Sequence, residues 1–335
     1  MSTPTENLYK RIKAFDKLGK FLDDLPSSQR DPLFLSAKSE NPWFTDENVS
    51  LAIQGIARFI NEGTLTLWLS KYRLPQSPKT VALVPAGNIP LVGFHDMLCV
   101  LISGHLLQLK LSSKDAKLPQ FIIQQLIEIE PSFADAIFVV DRLQNFDAVI
   151  ATGSDNSARY FDYYFQKYPH IIRKNRTSCA VLDDFESDEE LLSLGKDVFS
   201  YFGLGCRNVS KLFVPEGYSF NRLLKVWEPY QDIIHHHKYC NNYDYQKSIM
   251  LVNKVPFFDN GFVLLTESEK LVSPISTLHY EVYTSQDDLK TKLDSVQEKI
   301  QCIVGHLHLP FGTAQFPEVW DYADNVDTIK FLESI

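Results

Sequence analysis

The sequence predicts an α/β protein built on a largely parallel sheet and preceded by a helical N-terminal lead-in. Three observations carry this expectation. From about residue 80, apolar runs of strand length alternate with amphipathic helical patterns; the first 75 residues show helical periodicity alone; and glycine is scarce, 14 of 335 residues, so the glycines present mark placed turns.

In the lead-in, Leu51, Ile53, Ile56 and Ile60, then Leu65, Leu67 and Leu69, follow a helical pattern that ends at Pro75-Gln-Ser-Pro78. Strands are then predicted over 80–84, 106–111, 136–140 and 148–152, with helices over 91–102, 118–129 and 157–168. A second pass predicts a strand at 179–182, a helix at 188–202, a strand at 211–214 and a helical stretch over 220–236. Strands near 249–252, 262–266 and 280–283 complete it. The boundary is expected between residues 169 and 179, where Arg173-Lys-Asn-Arg176 separates two apolar segments. That divides the chain into 1–175 and 176–335. Strands alternating with helices imply right-handed crossovers and ligands at the C-terminal ends of strands.

Composition narrows the function classes. The chain is 44% hydrophobic, 22% charged and 13% aromatic, as expected of a folded soluble protein with a sizeable core. Its formal net charge of −9 leaves no electrostatic footprint for nucleic acid or anionic lipid. The five cysteines, Cys99, Cys179, Cys206, Cys240 and Cys302, are odd in number and form no C-x-x-C pair. Reduced thiols in a cytoplasmic protein are therefore expected, with neither a disulfide framework nor a structural zinc. Residues 1–10 have no apolar core of a secretory signal, and the most apolar window, 91–109, is interrupted by His95, Asp96 and His105. No integral membrane segment is expected.

Several residues could carry chemistry. Cys206 lies in Tyr201-Phe-Gly-Leu-Gly-Cys-Arg-Asn-Val209, between a helix and a strand. Its glycine neighbours allow close backbone approach to a substrate, and Arg207 would favour a thiolate. Most cysteines are buried and inert, and Cys99 and Cys179, each in an apolar run, fit that description. Asn88, in Val84-Pro-Ala-Gly-Asn-Ile-Pro-Leu91, offers an amide donor to an oxyanion or a cap to the following helix. Thr152-Gly-Ser154 is a strand-to-helix turn of the kind whose N–H groups meet a pyrophosphate. Lys110, followed by Ser112, Ser113 and Lys114, could contact a ribose or its phosphate, or could simply be solvated. Neither G-x-G-x-x-G nor a P-loop occurs. The run His235-His-His237, read on one helix, would point three ways, so no metal site is expected. The acids at Asp183, Asp184 and from Glu186 to Glu190 fit a helix N-terminus.

Taken in order, Pro-Ala-Gly-Asn88-Ile-Pro-Leu, Leu-Lys110-Leu-Ser-Ser, Ala-Thr-Gly153-Ser154 and Gly-Leu-Gly-Cys206 resemble the aldehyde dehydrogenase superfamily in identity, order and spacing. More closely, the chain resembles its acyl-CoA reductase branch, typified by the long-chain fatty acyl reductase of bacterial luminescence systems. The tail Pro310-Phe-Gly-Thr-Ala-Gln-Phe-Pro317 with Asp321-Tyr-Ala-Asp324 also resembles that branch, and the likeness spans roughly 78–335. It implies a two-lobed fold: a lead-in and variant Rossmann dinucleotide-binding domain over 1–175, and an α/β catalytic cysteine domain over 176–335. It further implies reduction of an acyl-CoA to an aldehyde through a thioester on Cys206, with hydride from NADPH or NADH and coenzyme A as leaving group. Asn88 would be an oxyanion donor, Gly153 and Ser154 pyrophosphate contacts, and Lys110 a neighbour of the adenosine ribose.

Departures from the family pattern are informative. Where acid-forming dehydrogenases carry a water-activating glutamate, this chain has Ile172-Arg-Lys-Asn175; Leu204 replaces a glutamine, and Leu271-Val-Ser-Pro274 replaces a glutamate motif. Without that base, transfer to a thiol is favoured over hydrolysis. Ser113 stands in place of a ribose-binding acid, which leans the cofactor toward NADPH. The alternatives are a CoA-acylating aldehyde dehydrogenase running oxidatively, or a degenerate subunit or scaffold of an acyl-transfer complex. A homo-oligomer or an acyl-transfer partner protein remains open.

Overall fold

The computed structural model describes residues 4–75, 77–153 and 155–335, and the described residues form twelve α-helices and eleven strands. The lead-in is α1 (Pro4–Asp23), α2 (Ser27–Glu40), α3 (Asp46–Phe59) and α4 (Glu62–Leu69). Thr45 and Asn61 cap α3 and α4, their side chains accepting from the N–H groups of Asn48 and Thr64. Phe15, Leu18 and Leu22 of α1, Val49, Ile53 and Ile56 of α3, and Trp68 of α4 supply the apolar stripes that make one core.

A parallel sheet follows, built from β1 (Thr80–Val84), α5 (Phe94–Ser103), β2 (Leu106–Leu109), α6 (Lys117–Ile129), β3 (Ile137–Val139), β4 (Ala148–Thr152), α7 (Asp155–Phe165) and β5 (His170–Arg173). Strand order is β3-β2-β1-β4-β5, with every pairing parallel. The order reverses between β1 and β4, which opens a crevice beyond their C-terminal ends. β1 and β4 are apolar on both faces and buried accordingly. The 91–109 window resolves into α5, buried at every position but the partly buried His95, and β2.

The remaining elements are β6 (Thr177–Val181), α8 (Asp188–Phe199), β7 (Val209–Pro215), α9 (Phe220–Val226), α10 (His237–Asn253), β8 (Phe258–Asp259), β9 (Leu264–Glu267), β10 (Thr277–Tyr283), α11 (Gln286–Val296), β11 (Ile300–Val304) and α12 (Thr328–Glu333). Their sheet runs β11-β6-β7-β10-β9-β8, parallel except for the antiparallel β8–β9 pair. Lys211 is almost fully buried in β7, where its ammonium donates to Glu281 and to the Glu269 carbonyl. A central strand tolerates a lysine only with such partners.

Several elements differ from expectation. The strand expected near 249–252 is the last turns of α10, where Leu251 and Val252 face solvent. The strands β5, β8 and β11 were not anticipated. The helix expected over 220–236 stops at Val226 and continues as a 3₁₀ stretch, Glu228–His235, entered through Pro229. His235 ends that stretch, His236 is extended and His237 opens α10, so the three histidines do not share one helix.

The chain forms two compact units, residues 1–175 with 317–335, and residues 176–316. Residues 317–335, expected within 176–335, therefore belong to the first unit. Polar anchors and burial explain the return. His105 accepts from the Lys79 N–H and donates through Nε2 to Leu332 O at 3.0 Å, Trp68 Nε1 donates to Tyr322 OH at 2.8 Å, and Ile329 and Leu332 are fully buried.

Candidate active site

In the first unit, the connections leaving β1, β2 and β4 carry the residues expected to meet a dinucleotide. Asn88 is exposed on the 85–93 connection. It is not a helix cap, because α5 begins at Phe94 behind Gly93. Two buried side chains fix that connection on either side of Asn88. Asn41 Nδ2 donates to Gly87 O at 3.2 Å, and Leu91, at φ 56°, donates its N–H to Asp115 Oδ2 at 2.8 Å. Burial pushes the Asp115 carboxyl up to about 7, opposed by the Leu91 N–H and reinforced by Glu40. Asp115 thus ties the loop after β2 to the loop after β1, a role that no sequence signal announced.

Lys110 follows the last residue of β2, its N–H donating to Leu83 O at 2.9 Å while its side chain is exposed. Ser113 is also exposed, two residues before Asp115 turns inward. Gly153 follows the last residue of β4, its N–H donating to Arg173 O at 3.2 Å. A Cβ there would stand 2.7 Å from Ser157 Cβ, so only glycine lets the turn pass this close to α7. Ser154 lies outside the described residues. The stretch 110–114 is Lys-Leu-Ser-Ser-Lys, cationic and hydroxylic without a carboxylate. With the strand-order reversal beside it, this donor set suits a phosphate-bearing dinucleotide.

In the second unit, Cys206 is half-buried on the loop between α8 and β7. The helix stops abruptly: Tyr201, Phe202 and Gly203 all take left-handed backbone angles, φ 51°, 57° and 78°. Two non-glycine residues in that region store strain that the surroundings must over-determine. Asn208, almost fully buried, does so. Its Oδ1 accepts from Gly205 N at 2.8 Å, and its Nδ2 lies within hydrogen-bond distance of the carbonyls of Asp197, Val198 and Ser200, closest to Ser200 at 2.7 Å. Ser178 Oγ donates to Cys206 O at 3.1 Å, and Arg207 Nη1 donates to Ala314 O at 3.2 Å. Ala314 belongs to the 310–317 tail segment, which Asp197 grips by accepting the N–H groups of Gly312 at 2.6 Å and Ala314 at 2.9 Å.

The other thiols offer a contrast. Burial drives the Cys99 thiol well above its ordinary value and the Cys179 thiol up to about 12, so neither ionises near neutral pH. Among the described residues, Asp183, Glu186 and His306 are grouped closely enough to hold a metal. The His306 ring is already engaged on both sides, Nδ1 with Asp183 at 2.8 Å and Nε2 with Glu190 at 3.2 Å. Glu190 also completes a capping box with Ser187 at the start of α8, as its place at a helix N-terminus suggested.

Comparison with known proteins bears on these placements. The acyl-CoA reductase (LuxC) family model matches residues 70–221. That stretch contains Asn88, Lys110, Ser113, Gly153, Ser154 and Cys206. Comparison with curated proteins finds no match. Among solved structures, an E. coli NADP-dependent enzyme aligns with a TM-score of 0.63 at 12% identity, over 89% of this chain and 77% of that one. A P. syringae indole-3-acetaldehyde dehydrogenase variant in complex with NAD+ aligns with a TM-score of 0.62 at 13% identity, over 87% and 70%. A Bacillus cereus aldehyde dehydrogenase variant aligns with a TM-score of 0.60 at 13% identity, again over 87% and 70%. Identities this low establish the fold alone. The expected resemblance is met at both levels: residues 70–221 match the acyl-CoA reductase (LuxC) family model, and the fold is similar to that of aldehyde dehydrogenases.

Proposed function

We propose that this chain is an NAD(P)H-dependent acyl-CoA reductase that releases an aldehyde after forming a thioester on Cys206. The observation that carries the reading is the Cys206 loop, a half-exposed thiol on a strained, hydrogen-bonded turn inside the matched stretch.

Cys206 attacks the acyl-CoA carbonyl as a thiolate, and the carbonyl oxygen becomes an oxyanion. By the family resemblance, Asn88 would be the donor to that oxyanion. Collapse expels the thiolate of coenzyme A, which takes up a proton, and leaves the acyl group on Cys206. When bound, a nicotinamide would supply the hydride that takes the thioester to the aldehyde level. Release of the aldehyde returns the Cys206 thiolate. Lys110 and Ser113 would hold the adenosine ribose end of the dinucleotide, and Gly153 and Ser154 its pyrophosphate. Residues 172–175 contain no carboxylate to activate water, which preserves the thioester until reduction. The same residues serve the oxidative, CoA-acylating direction. The preorganised Cys206 turn weighs against a catalytically degenerate scaffold, which would have no use for stored strain.

The odd number and wide spacing of the five cysteines favour a reducing, cytoplasmic setting. Among the described residues no helix is long and apolar enough to cross a membrane. The test is to follow NADPH and NADH oxidation by absorbance with acyl-CoAs of increasing chain length. Aldehyde formation with release of a free thiol is expected, and no turnover of any acyl-CoA would sink the reading.

A further inference from the structure

Asp197 reaches both neighbours of Cys206 by separate routes. Its main-chain carbonyl accepts from Asn208 Nδ2 at 3.1 Å, and Asn208 Oδ1 accepts from the N–H of Gly205 at 2.8 Å. Its carboxylate accepts from the N–H of Ala314 at 2.9 Å, and the Ala314 carbonyl accepts from Arg207 Nη1 at 3.2 Å. Asp197 and Ala314 are fully buried and Asn208 nearly so, so water does not compete for these bonds. Gly205 and Arg207 flank Cys206, which is itself only half-buried.

We propose that Asp197 is a positioning residue for Cys206, holding the residue before it through Asn208 and the residue after it through Ala314. The inference rests on the reading of Cys206 as the nucleophile. It also assigns a purpose to the 310–317 segment, which becomes the far strut of the cysteine loop. A carboxylate is required there because two N–H donors, from Gly312 and Ala314, arrive on different oxygens. A carboxamide of the same shape can accept on one side only and turns its NH₂ against the other donor.

The experiment compares the full-length protein with Asp197→Asn and Arg207→Met, which interrupt the second arm at its buried and its partly exposed ends. Three readouts are taken: the rate of Cys206 acylation by acyl-CoA in a single turnover, the rate of Cys206 alkylation by iodoacetamide from peptide mass spectrometry, and the thermal midpoint. Both variants should acylate Cys206 more slowly, by up to about 10²-fold, because small misplacements of a reacting group cost that much. KM for acyl-CoA should stay unchanged while kcat falls, and the double variant should lose no more than the worse single one. Alkylation should slow in parallel, whereas that of Cys99 and Cys179 should not change.

Acylation and alkylation at wild-type rates in either variant would overturn the inference and leave the proposed function standing. A wild-type Cys206 that never acylates, yet whose alkylation still depends on Asp197 and Arg207, would sink the function and keep the positioning role. Should Asp197→Asn fail to fold, Arg207→Met decides alone, because it leaves the buried network whole.

Discussion

Arg173 and Asp96 meet as a buried two-pronged ion pair, with Nη2 to Oδ1 at 2.7 Å and Nε to Oδ2 at 3.1 Å. The same guanidinium donates to Ala323 O and Thr328 Oγ1, binding the returning C-terminal segment to β5 and α5. Arg173 stands in the stretch where related acid-forming enzymes are expected to place a water-activating glutamate. In this chain the position serves the fold.

Breaking this pair should therefore unfold rather than retune the protein. Arg173→Met leaves the Asp96 carboxylate buried and uncompensated, which typically costs about 3 to 5 kcal/mol. Urea denaturation should show a loss of that size, and hydrogen exchange should show α12 losing protection first.

Cys206→Ser should abolish the acyl adduct that forms when the protein meets acyl-CoA without reductant. Intact-mass spectrometry reads it directly, and an adduct on another cysteine would relocate the nucleophile. In the wild type, Cys206 should be alkylated faster than Cys99 and Cys179, whose thiols burial holds protonated.

Asn88→Ala should slow turnover by about 10²- to 10³-fold, the usual loss on removing one oxyanion donor. The thermal midpoint should hardly move, because Asn88 is exposed and does not cap α5.

Ser113→Glu should reverse the cofactor preference. A carboxylate at this exposed position would repel a 2′-phosphate, lowering kcat/KM for NADPH by about ten-fold or more. NADH should be spared. Equal losses with both cofactors would remove Ser113 from the ribose end.

His306 offers a pH test. Its hydrogen bond to Asp183, and the charges of Asp183 and Glu190, raise its protonation range above the ordinary 6.5. A raised folded-state value means that its stabilisation is complete below 6.5 and disappears as pH rises through the folded-state value. His306→Gln should accordingly lower stability in mildly acidic buffer and approach the wild type in alkaline buffer. A pH-independent difference would show that the ring acts by packing alone.

Much of this is legible in the sequence alone. β1 and β4 read plainly because strands buried on both faces are unbroken apolar runs, and Gly-Leu-Gly-Cys206 read as a special turn because glycine is rare here. What was hidden depended on partners distant in sequence. β5 is four residues long and contains an arginine, which makes sense only once Asp96 is found opposite it. Ile249 to Val252 reads as a strand because a short apolar run has no period, yet it ends a long helix. Asn208 and Asp197 are ordinary letters in sequence; their importance comes from Gly205, Ala314 and Gly312, which the fold brings to them. Nothing in Tyr201 and Phe202 foretold left-handed backbone.

The first unit is discontinuous, closing only when residues 317–335 return to it. During synthesis those residues leave the ribosome only after the whole of the second unit. Until then, the surface that α12 covers on α5 stays bare, and Arg173 and Asp96 wait without the carbonyl and hydroxyl partners that complete their set. The second unit, contiguous over 176–316, emerges whole beforehand. A nascent chain that has not yet released residues 317–335 would thus hold a complete second unit tethered to an open, aggregation-prone first unit, and those nineteen residues act as its latch.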